Sequence, residues 1–170
     1  EMRAAIEACN IVGLPICCTM SFDTNASTMM GVSPSKFADF CDEFDIFGYG
    51  GNCGIGPSEM IDTILKLNAT TKRKSHIIAK GNCGIPKYKE GKIIYDGSPE
   101  IMEKYAITAC RAGTKVIGGC CGTTPNHIKR MHSVLEKIKI DPYSEEEHIR
   151  WLGKPWQGLD LSKKRVRRRP

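Results

Sequence analysis

The residues of this sequence best suited to bind a metal are four cysteines in glycine-rich segments: Cys53, Cys83, Cys120 and Cys121. Cys120 and Cys121 are adjacent, and adjacent side chains of a regular strand point to opposite faces of a sheet. Both sulfurs can serve one site only if the strand is broken there, and the glycines on either side supply that backbone freedom. Three thiolates that leave a fourth position open are typical of a catalytic zinc site.

The spacing of these cysteines leaves several alternatives open. It does not choose between Cys53 and Cys83 as the third ligand, and all four cysteines together would form a closed, structural site. Adjacent cysteines after a strand also occur as inert buried residues or as a redox pair. The sequence contains no C-x-x-C pair that would favour metal binding on spacing alone.

The elements that must position these cysteines follow a repeating pattern of strand and helix. Apolar runs and capping residues predict strands at 14–21, 45–49, 76–80 and 115–117, and helices at 2–11, 35–44, 58–67, 100–111 and 125–139. Four such units with nearly continuous apolar strands are typical of an α/β fold with a parallel sheet. Because four units are half of an eight-unit barrel, the pattern predicts the C-terminal half of a (β/α)8 TIM barrel.

Two near-identical segments place the cysteines at one edge of this sheet. Residues 50–57 (GGNCGIGP) and 81–86 (GNCGIP) each follow a predicted strand. Ligands of parallel α/β folds bind at the carboxyl ends of the strands. We therefore expect the cysteine-bearing loops to share that rim.

Residues 118–128 (GGCCGTTPNHI) closely resemble the zinc-binding signature of the homocysteine S-methyltransferases, and residues 51–53 (GNC) resemble the other zinc segment of that family. Residues 19–23 (TMSFD) look most like its cobalamin-linked branch. The resemblance covers about residues 1–140 and implies a (β/α)8 barrel with zinc at the carboxyl rim. By this match the metal ligands are Cys53, Cys120 and Cys121, with Cys83 a non-ligand neighbour.

The same resemblance implies transfer of a methyl group to homocysteine, giving methionine. A free thiol has a pKa near ~8.5, so it is mostly protonated at neutral pH, whereas a thiol entering the open position of zinc is deprotonated. The methyl donor implied first is a corrinoid (cobalamin) carried by a partner, with a betaine-type donor second. The resemblance also implies an N-terminal half-barrel as a partner. A non-catalytic, zinc-stabilised fragment or subunit is the alternative.

Three residues near the cysteines are candidates for binding the substrate. Gly119 would let the backbone approach it closely, and Asn52 would hydrogen-bond a ligand sulfur or the substrate. Asp23 would meet a substrate amino group. Each has an alternative role in local structure, because glycine, asparagine and aspartate are all common in turns and caps.

Composition and charge restrict the remaining function classes. The net charge is +6, but six of the last eight residues are Lys or Arg, and the rest of the chain carries equal numbers of basic and acidic residues. We interpret 163–170 as a solvated basic tail, so binding to nucleic acid or anionic lipid is not favoured. No apolar run is long enough to cross a membrane.

Length and cysteine content complete the sequence-based expectations. The repeating pattern predicts the C-terminal half of a barrel domain at 1–140 and a C-terminal extension at 141–170 that contains both tryptophans and the basic tail. An odd number of cysteines in 170 residues argues against a secreted disulfide scaffold. We expect a reduced, cytoplasmic protein.

Overall fold

The computed structural model describes residues 1–24, 26–70 and 75–157, and it confirms the α/β class. The helices are α1 (Met2–Val12), α2 (Pro34–Cys41), α3 (Pro57–Thr70), α4 (Pro99–Arg111), α5 (Pro125–Leu135) and α6 (Glu145–Leu152). The strands are β1 (Cys17–Met20), β2 (Gly48–Cys53), β3 (His76–Gly81), β4 (Pro86–Lys89), β5 (Lys92–Tyr95) and β6 (Val116–Gly119).

The main sheet has four parallel strands in the order β1-β2-β3-β6. Its register aligns Cys53 with Gly81, and Gly81 with Gly119, so β2, β3 and β6 end at the same edge. The predicted parallel sheet of βα units is therefore confirmed. Such a sheet is compatible with part of a TIM barrel, while the complete barrel stays a prediction.

Several predicted boundaries are wrong, and β2 shows why. The predicted strand at 45–49 gives way to a strand at Gly48–Cys53, so the glycine-rich segment forms the strand itself. A Cβ atom built on Gly50 would lie 1.8 Å from the carbonyl oxygen of Ile78 on β3. Close approach of the two backbones, rather than a turn, therefore requires this glycine.

An antiparallel hairpin of β4 and β5 lies between β3 and α4, and the repeating pattern did not predict it. Its turn residues are Glu90 and Gly91, with φ angles of 51° and 76°. Two-residue hairpin turns of type I′ need positive φ at both central positions. The Glu-Gly pair between two lysines is therefore the local signal for this hairpin.

The apolar core lies where the helices cover the sheet. α2 packs on α3, α3 on α4 and α4 on α5. The largest side chains that are fully buried in this core include Phe37, Tyr49, Ile61, Leu67, Met102 and Tyr105. Each side chain of this size contributes roughly 1.5–3 kcal/mol by leaving water, so this layer holds the strand ends in place.

The described part of the C-terminal extension is fastened to α3 by buried polar contacts. His148 on α6 is buried, and its Nε2 lies 2.9 Å from Ser58 Oγ. Because the Ser58 hydroxyl donates to the carbonyl oxygen of Gly153, we assign the proton of His148 to Nε2. The Tyr143 hydroxyl donates to Nδ1 at 2.8 Å. Trp156 is buried nearby, and its backbone N–H donates to Glu59.

The basic tail predicted at 163–170 lies outside the described residues. Among residues 1–24, 26–70 and 75–157, no helix combines the length and apolar character needed to span a bilayer.

We expect Gly50→Ala to destabilise the protein by about 3 kcal/mol, because the added methyl group meets the backbone of β3 and nothing there can move aside cheaply. Chemical denaturation of the variant and the parent chain measures the difference. Gly118→Ala is the matched control, since its Cβ meets only Lys80 Cγ at 3.5 Å. A control that is destabilised as much as Gly50→Ala would contradict this reading of the β2–β3 contact.

Stability should also fall in mild acid, because burial lowers the pKa of His148 from its ordinary value of 6.5. The neutral ring contributes stability that is present above pH 6.5 and is lost as the pH falls through the lowered folded-state pKa. One proton changes the free energy of unfolding by at most about 1.4 kcal/mol per pH unit. Denaturation at several pH values tests this. His148→Gln should flatten the profile, and a variant with the same pH dependence as the parent chain would contradict this role of His148.

Candidate metal centre

Three cysteine sulfurs converge at the carboxyl edge of the sheet. The Sγ atoms of Cys53, Cys120 and Cys121 all lie within 4.8 Å of one another. Cys121 is the middle member, with its sulfur 3.9 Å from that of Cys53 and 3.9 Å from that of Cys120. In the part of the chain that the structure describes, no other group of three His, Cys, Asp or Glu side chains meets this criterion.

The backbone places Cys53 at this point in an uncommon conformation. Cys53 is the last residue of β2 and has φ 57°, in the left-handed region, and Gly54 follows with φ 81°. Left-handed backbone at a non-glycine residue costs on the order of 1–3 kcal/mol and is concentrated at functional sites. The turn directs the chain away from the sheet while the thiol remains at the edge.

Cys120 and Cys121 lie in a turn that begins where β6 ends. The backbone N–H of Cys120 donates to Gly81 on β3 at 2.8 Å, which continues the ladder by one bond. Cys120 accepts a bond from Thr123 N at 3.1 Å, and Gly122 takes φ 78°. The strand is thus broken at the pair, and both sulfurs reach the same side.

Asn82 connects the two cysteine-bearing loops, and sequence reasoning missed this role. Its side chain is buried, its Nδ2 donates to the carbonyl oxygen of Gly54 at 2.7 Å, and its Oδ1 accepts from Cys121 N at 3.1 Å. The repeated Gly-Asn-Cys-Gly segment was the available signal. Because β3 lies between β2 and β6, an asparagine at its end reaches both neighbours.

Cys83 lies apart from the sulfur trio. Its thiol is buried and donates to the carbonyl oxygen of Gly97 at 2.9 Å, and its sulfur is 3.2 Å from His127 Nε2. His127 Nδ1 in turn accepts from the backbone N–H of Thr124. Burial raises the pKa of the Cys83 thiol, so it behaves as a neutral group of the core. The structure therefore brings Cys53, and not Cys83, to the adjacent pair.

The pKa values of the two adjacent cysteines, Cys120 and Cys121, are shifted in opposite directions. Hydrogen bonds from Tyr95 first, and then from Cys53, lower the pKa of Cys121. Burial raises the pKa of Cys120, and its contact with Cys121 acts in the same direction. Three thiols this close cannot all ionise without a cation to compensate their charge.

The donor set fits a soft divalent metal. Zinc–sulfur bonds of about 2.3 Å in a tetrahedral site put ligand sulfurs about 3.8 Å apart, which matches the two 3.9 Å separations around Cys121. Zn²⁺ binds sulfur donors well, whereas Mg²⁺ and Ca²⁺ prefer oxygen donors. A three-sulfur set leaves one tetrahedral position for a further ligand.

The three residues predicted to bind substrate lie at the same edge of the sheet. Asn52 precedes Cys53, and its Nδ2 donates to Ser21 Oγ at 3.4 Å. Asp23 is exposed beyond the end of β1 and accepts a bond from Thr24. A Cβ built on Gly119 would lie 2.2 Å from Thr123 Oγ1, so packing of the turn already requires this glycine. Their contacts with a substrate stay predictions.

Comparison with known proteins gives two findings. The family described as homocysteine S-methyltransferase matches residues 1–135, which contain all three sulfurs of the trio. The methionine synthase of Mycobacterium tuberculosis is 25% identical over 127 residues. That alignment covers 74% of this chain but only 10% of the mycobacterial protein. This chain therefore corresponds to a small part of that relative.

We expect the chain to take up about one zinc ion, and Cys53→Ser, Cys120→Ser and Cys121→Ser each to lose it, because two sulfurs form a poor zinc site. Metal analysis after equilibrium dialysis measures the stoichiometry.

Cys83→Ser is the matched control for this experiment. It removes a buried thiol that lies beside the centre but outside the trio, so its zinc content should equal that of the parent chain. Zinc loss from Cys83→Ser together with retention in a trio variant would contradict the assignment of ligands.

Proposed function

This chain belongs to the homocysteine S-methyltransferase family, and we propose that it binds zinc and homocysteine and transfers a methyl group to the homocysteine sulfur, giving methionine. The observation that supports this most directly is the convergence of three cysteine sulfurs at one sheet edge, one from the end of β2 and two from the turn after β6. The geometry favours a zinc centre that accepts one further sulfur.

The residues of the centre have distinct parts in this proposal. Cys53, Cys120 and Cys121 would hold the ion, and the bound ion would keep a substrate thiol as its thiolate, which is the form that attacks carbon. Asn82 holds the two loops at a fixed separation through Gly54 and the backbone of Cys121. The sulfur nucleophile would thus sit at a defined place on the rim.

The amino acid end of the substrate needs separate contacts. Asp23 carries a carboxylate at the same edge, and it is exposed, so an ammonium group can reach it without displacing a core residue. Asn52 adds an amide next to Cys53, and the backbone at Gly119 lies beside the adjacent cysteines. We infer that these groups orient homocysteine, with Asp23 meeting its amino group.

The proposed methyl donor is a methylated corrinoid carried by a partner domain or protein. The resemblance of residues 19–23 (TMSFD) to the cobalamin-linked branch of the family supports this choice over a betaine-type donor. The donor must approach the homocysteine sulfur from the open side of the rim, so that the sulfur, the methyl carbon and the leaving group lie on one line. Cobalamin is therefore proposed as a cofactor of the partner and not of this chain.

Completion of the site by an N-terminal half-barrel is part of the proposal. β1 and β6 are the outer strands of the described sheet, and unpaired strand edges invite pairing. An open apolar groove runs along β1 between α1 and α2, lined by Met2, Cys18, Met20, Phe37 and Phe40 among others. The exposed edges also favour a second candidate, a zinc-stabilised subunit without activity of its own.

The cysteine chemistry supports a reducing compartment such as the cytoplasm. All nine cysteines are free, and the proposed ligands must stay reduced to bind an ion. We infer that the protein acts where thiols are not oxidised.

Homocysteine added to the zinc-loaded chain should raise the number of sulfur ligands from about three to about four, because the open tetrahedral position accepts its thiolate. X-ray absorption at the zinc edge measures this count. Homoserine is the matched control, since it replaces only the thiol by a hydroxyl, and it should leave three sulfurs. Unchanged coordination with homocysteine would favour the inactive zinc-stabilised subunit.

A further inference from the structure

The C-terminal extension reaches the edge of the sheet that carries the sulfur trio. Residues 143–156, which we call the strap, contact α4 through Glu147, whose carboxylate lies 2.6 Å from Arg111 at the end of that helix. Further along the strap, the carbonyl oxygen of Gly153 accepts a hydrogen bond from Ser58 in the first turn of α3 at 2.6 Å. Because α3 starts just after the loop that follows β2, the strap reaches the helix start that borders this loop.

Glu59 lies between the strap and the loop of residues 54–56. It is only 7% exposed, and its Oε1 accepts a hydrogen bond from the backbone N–H of Trp156 at 3.2 Å. The other carboxylate oxygen faces the loop, since a Cβ atom built on Gly56 would lie 3.2 Å from Glu59 Oε2. The N-terminal end of a helix favours a negative charge, and Glu59 is in the first turn of α3. One side chain thus contacts both segments.

Trp156 is held on α3 by its burial and by a second hydrogen bond. Its side chain is buried, and its Nε1 donates to Asp62 Oδ2 at 2.5 Å. Its φ of 59° is in the left-handed region, which a residue other than glycine keeps only where surrounding contacts hold it there. The family match ends at residue 135, so the strap adds these contacts to the matched part of the chain.

The loop beside Glu59 determines where Cys53 lies. Because Cys53 is the last residue of β2, the chain after it is held by loop contacts and not by the strand ladder. Cys53 and Gly54 both have left-handed backbones, and the carbonyl oxygen of Gly54 accepts a bond from Asn82. A shift of residues 54–56 would change this backbone turn and move the sulfur of Cys53.

We propose that Glu59 is a positioning residue of the candidate metal centre, which transmits the hold of the strap to the loop of residues 54–56 and so keeps the sulfur of Cys53 facing the adjacent pair. This inference rests on the proposed function, in which Cys53 is one of three metal ligands. The C-terminal extension then takes part in the centre through Glu59. Loss of this link frees the loop while the sheet and the helices stay folded.

Glu59→Ala tests this role, because it removes both contacts of the carboxylate. Glu59→Gln is the conservative variant, since its amide oxygen can accept from Trp156 and its side chain fills the same space beside Gly56. Glu147→Ala is the matched control, which removes a glutamate contact at the other end of the strap. Hydrogen exchange of the full, metal-free chain is measured by mass spectrometry on peptides that cover 54–58 and, as the reference for opening of the whole fold, α5.

We expect exchange at 54–58 to rise roughly 10-fold in Glu59→Ala, since local opening no longer breaks the bond to the strap, while α5 exchanges as in the parent chain. Glu59→Gln and Glu147→Ala should match the parent chain. Trp156→Ala should raise the same amides, and combining it with Glu59→Ala should add little, because both changes remove one link. Zinc affinity, measured by competition with a coloured chelator, should fall several-fold in Glu59→Ala but not in Glu59→Gln.

The outcomes separate this inference from the proposed function. Exchange or zinc affinity equal to that of the parent chain in Glu59→Ala overturns the positioning role. An equal rise of exchange in α5 also overturns it, because it indicates a general loss of stability. The proposed function stands in each of these cases if the parent chain binds zinc. If the parent chain binds no zinc, both are overturned.

Discussion

The parallel register of β2, β3 and β6 is the constraint on which the site depends. Because Cys53, Gly81 and Gly119 lie side by side in the ladder, the loops that follow these strands start at one level. The register in turn requires close backbone contact, which Gly50 allows by presenting no side chain to β3. The helices that cover the sheet stabilise this arrangement through the buried core. Strand pairing therefore brings the three cysteines near one another, and the loops complete their arrangement.

Two unfavourable local features lie at the rim that carries the site. Cys53 has a left-handed backbone conformation. The turn at Gly122 accepts only glycine, because the side chain of Tyr95 fills the space that a Cβ atom would need. Strain at one residue such as Cys53 costs on the order of 1–3 kcal/mol, which the buried core can offset. Three thiols whose sulfurs all lie within 4.8 Å of one another add a further cost when they carry charge.

Much of the fold could be predicted because its signals are local. Alternating apolar strands and capped helices indicated four βα units, and the structure confirms the parallel sheet. The boundaries of β2 could not be predicted, since glycines usually indicate turns, whereas here they permit two strands to approach. The β4–β5 hairpin was missed because its turn signal is a single Glu-Gly pair, and its strands are largely exposed. Apolar periodicity indicates a strand only where one face of the strand is buried. A hairpin with exposed strands therefore has no clear apolar pattern.

The residue types of the candidate site could be predicted from the sequence, but which cysteines come together could not. Spacing alone left Cys53 and Cys83 as equal choices, because both follow strands in near-identical segments. Their difference arises from what surrounds each one: Cys83 turns inward to Gly97 and His127, whereas Cys53 faces the pair. The bridging role of Asn82 depends on strand order, which the sequence does not state directly. Contacts between segments that are distant in sequence could therefore not be predicted from the sequence.

The amide of Asn82 has a consequence for how the proposed centre would exchange an ion. Asn82 links the two loops through hydrogen bonds between protein groups. Folding of the chain therefore brings the donor atoms together, and the entropic cost of ordering them is part of the free energy of folding. Small zinc domains, by contrast, order their ligands only as the ion arrives. A centre assembled in advance can lose and regain its ion while the scaffold persists. Occupancy would then follow the supply of free metal in its surroundings, independently of the folding history of the chain.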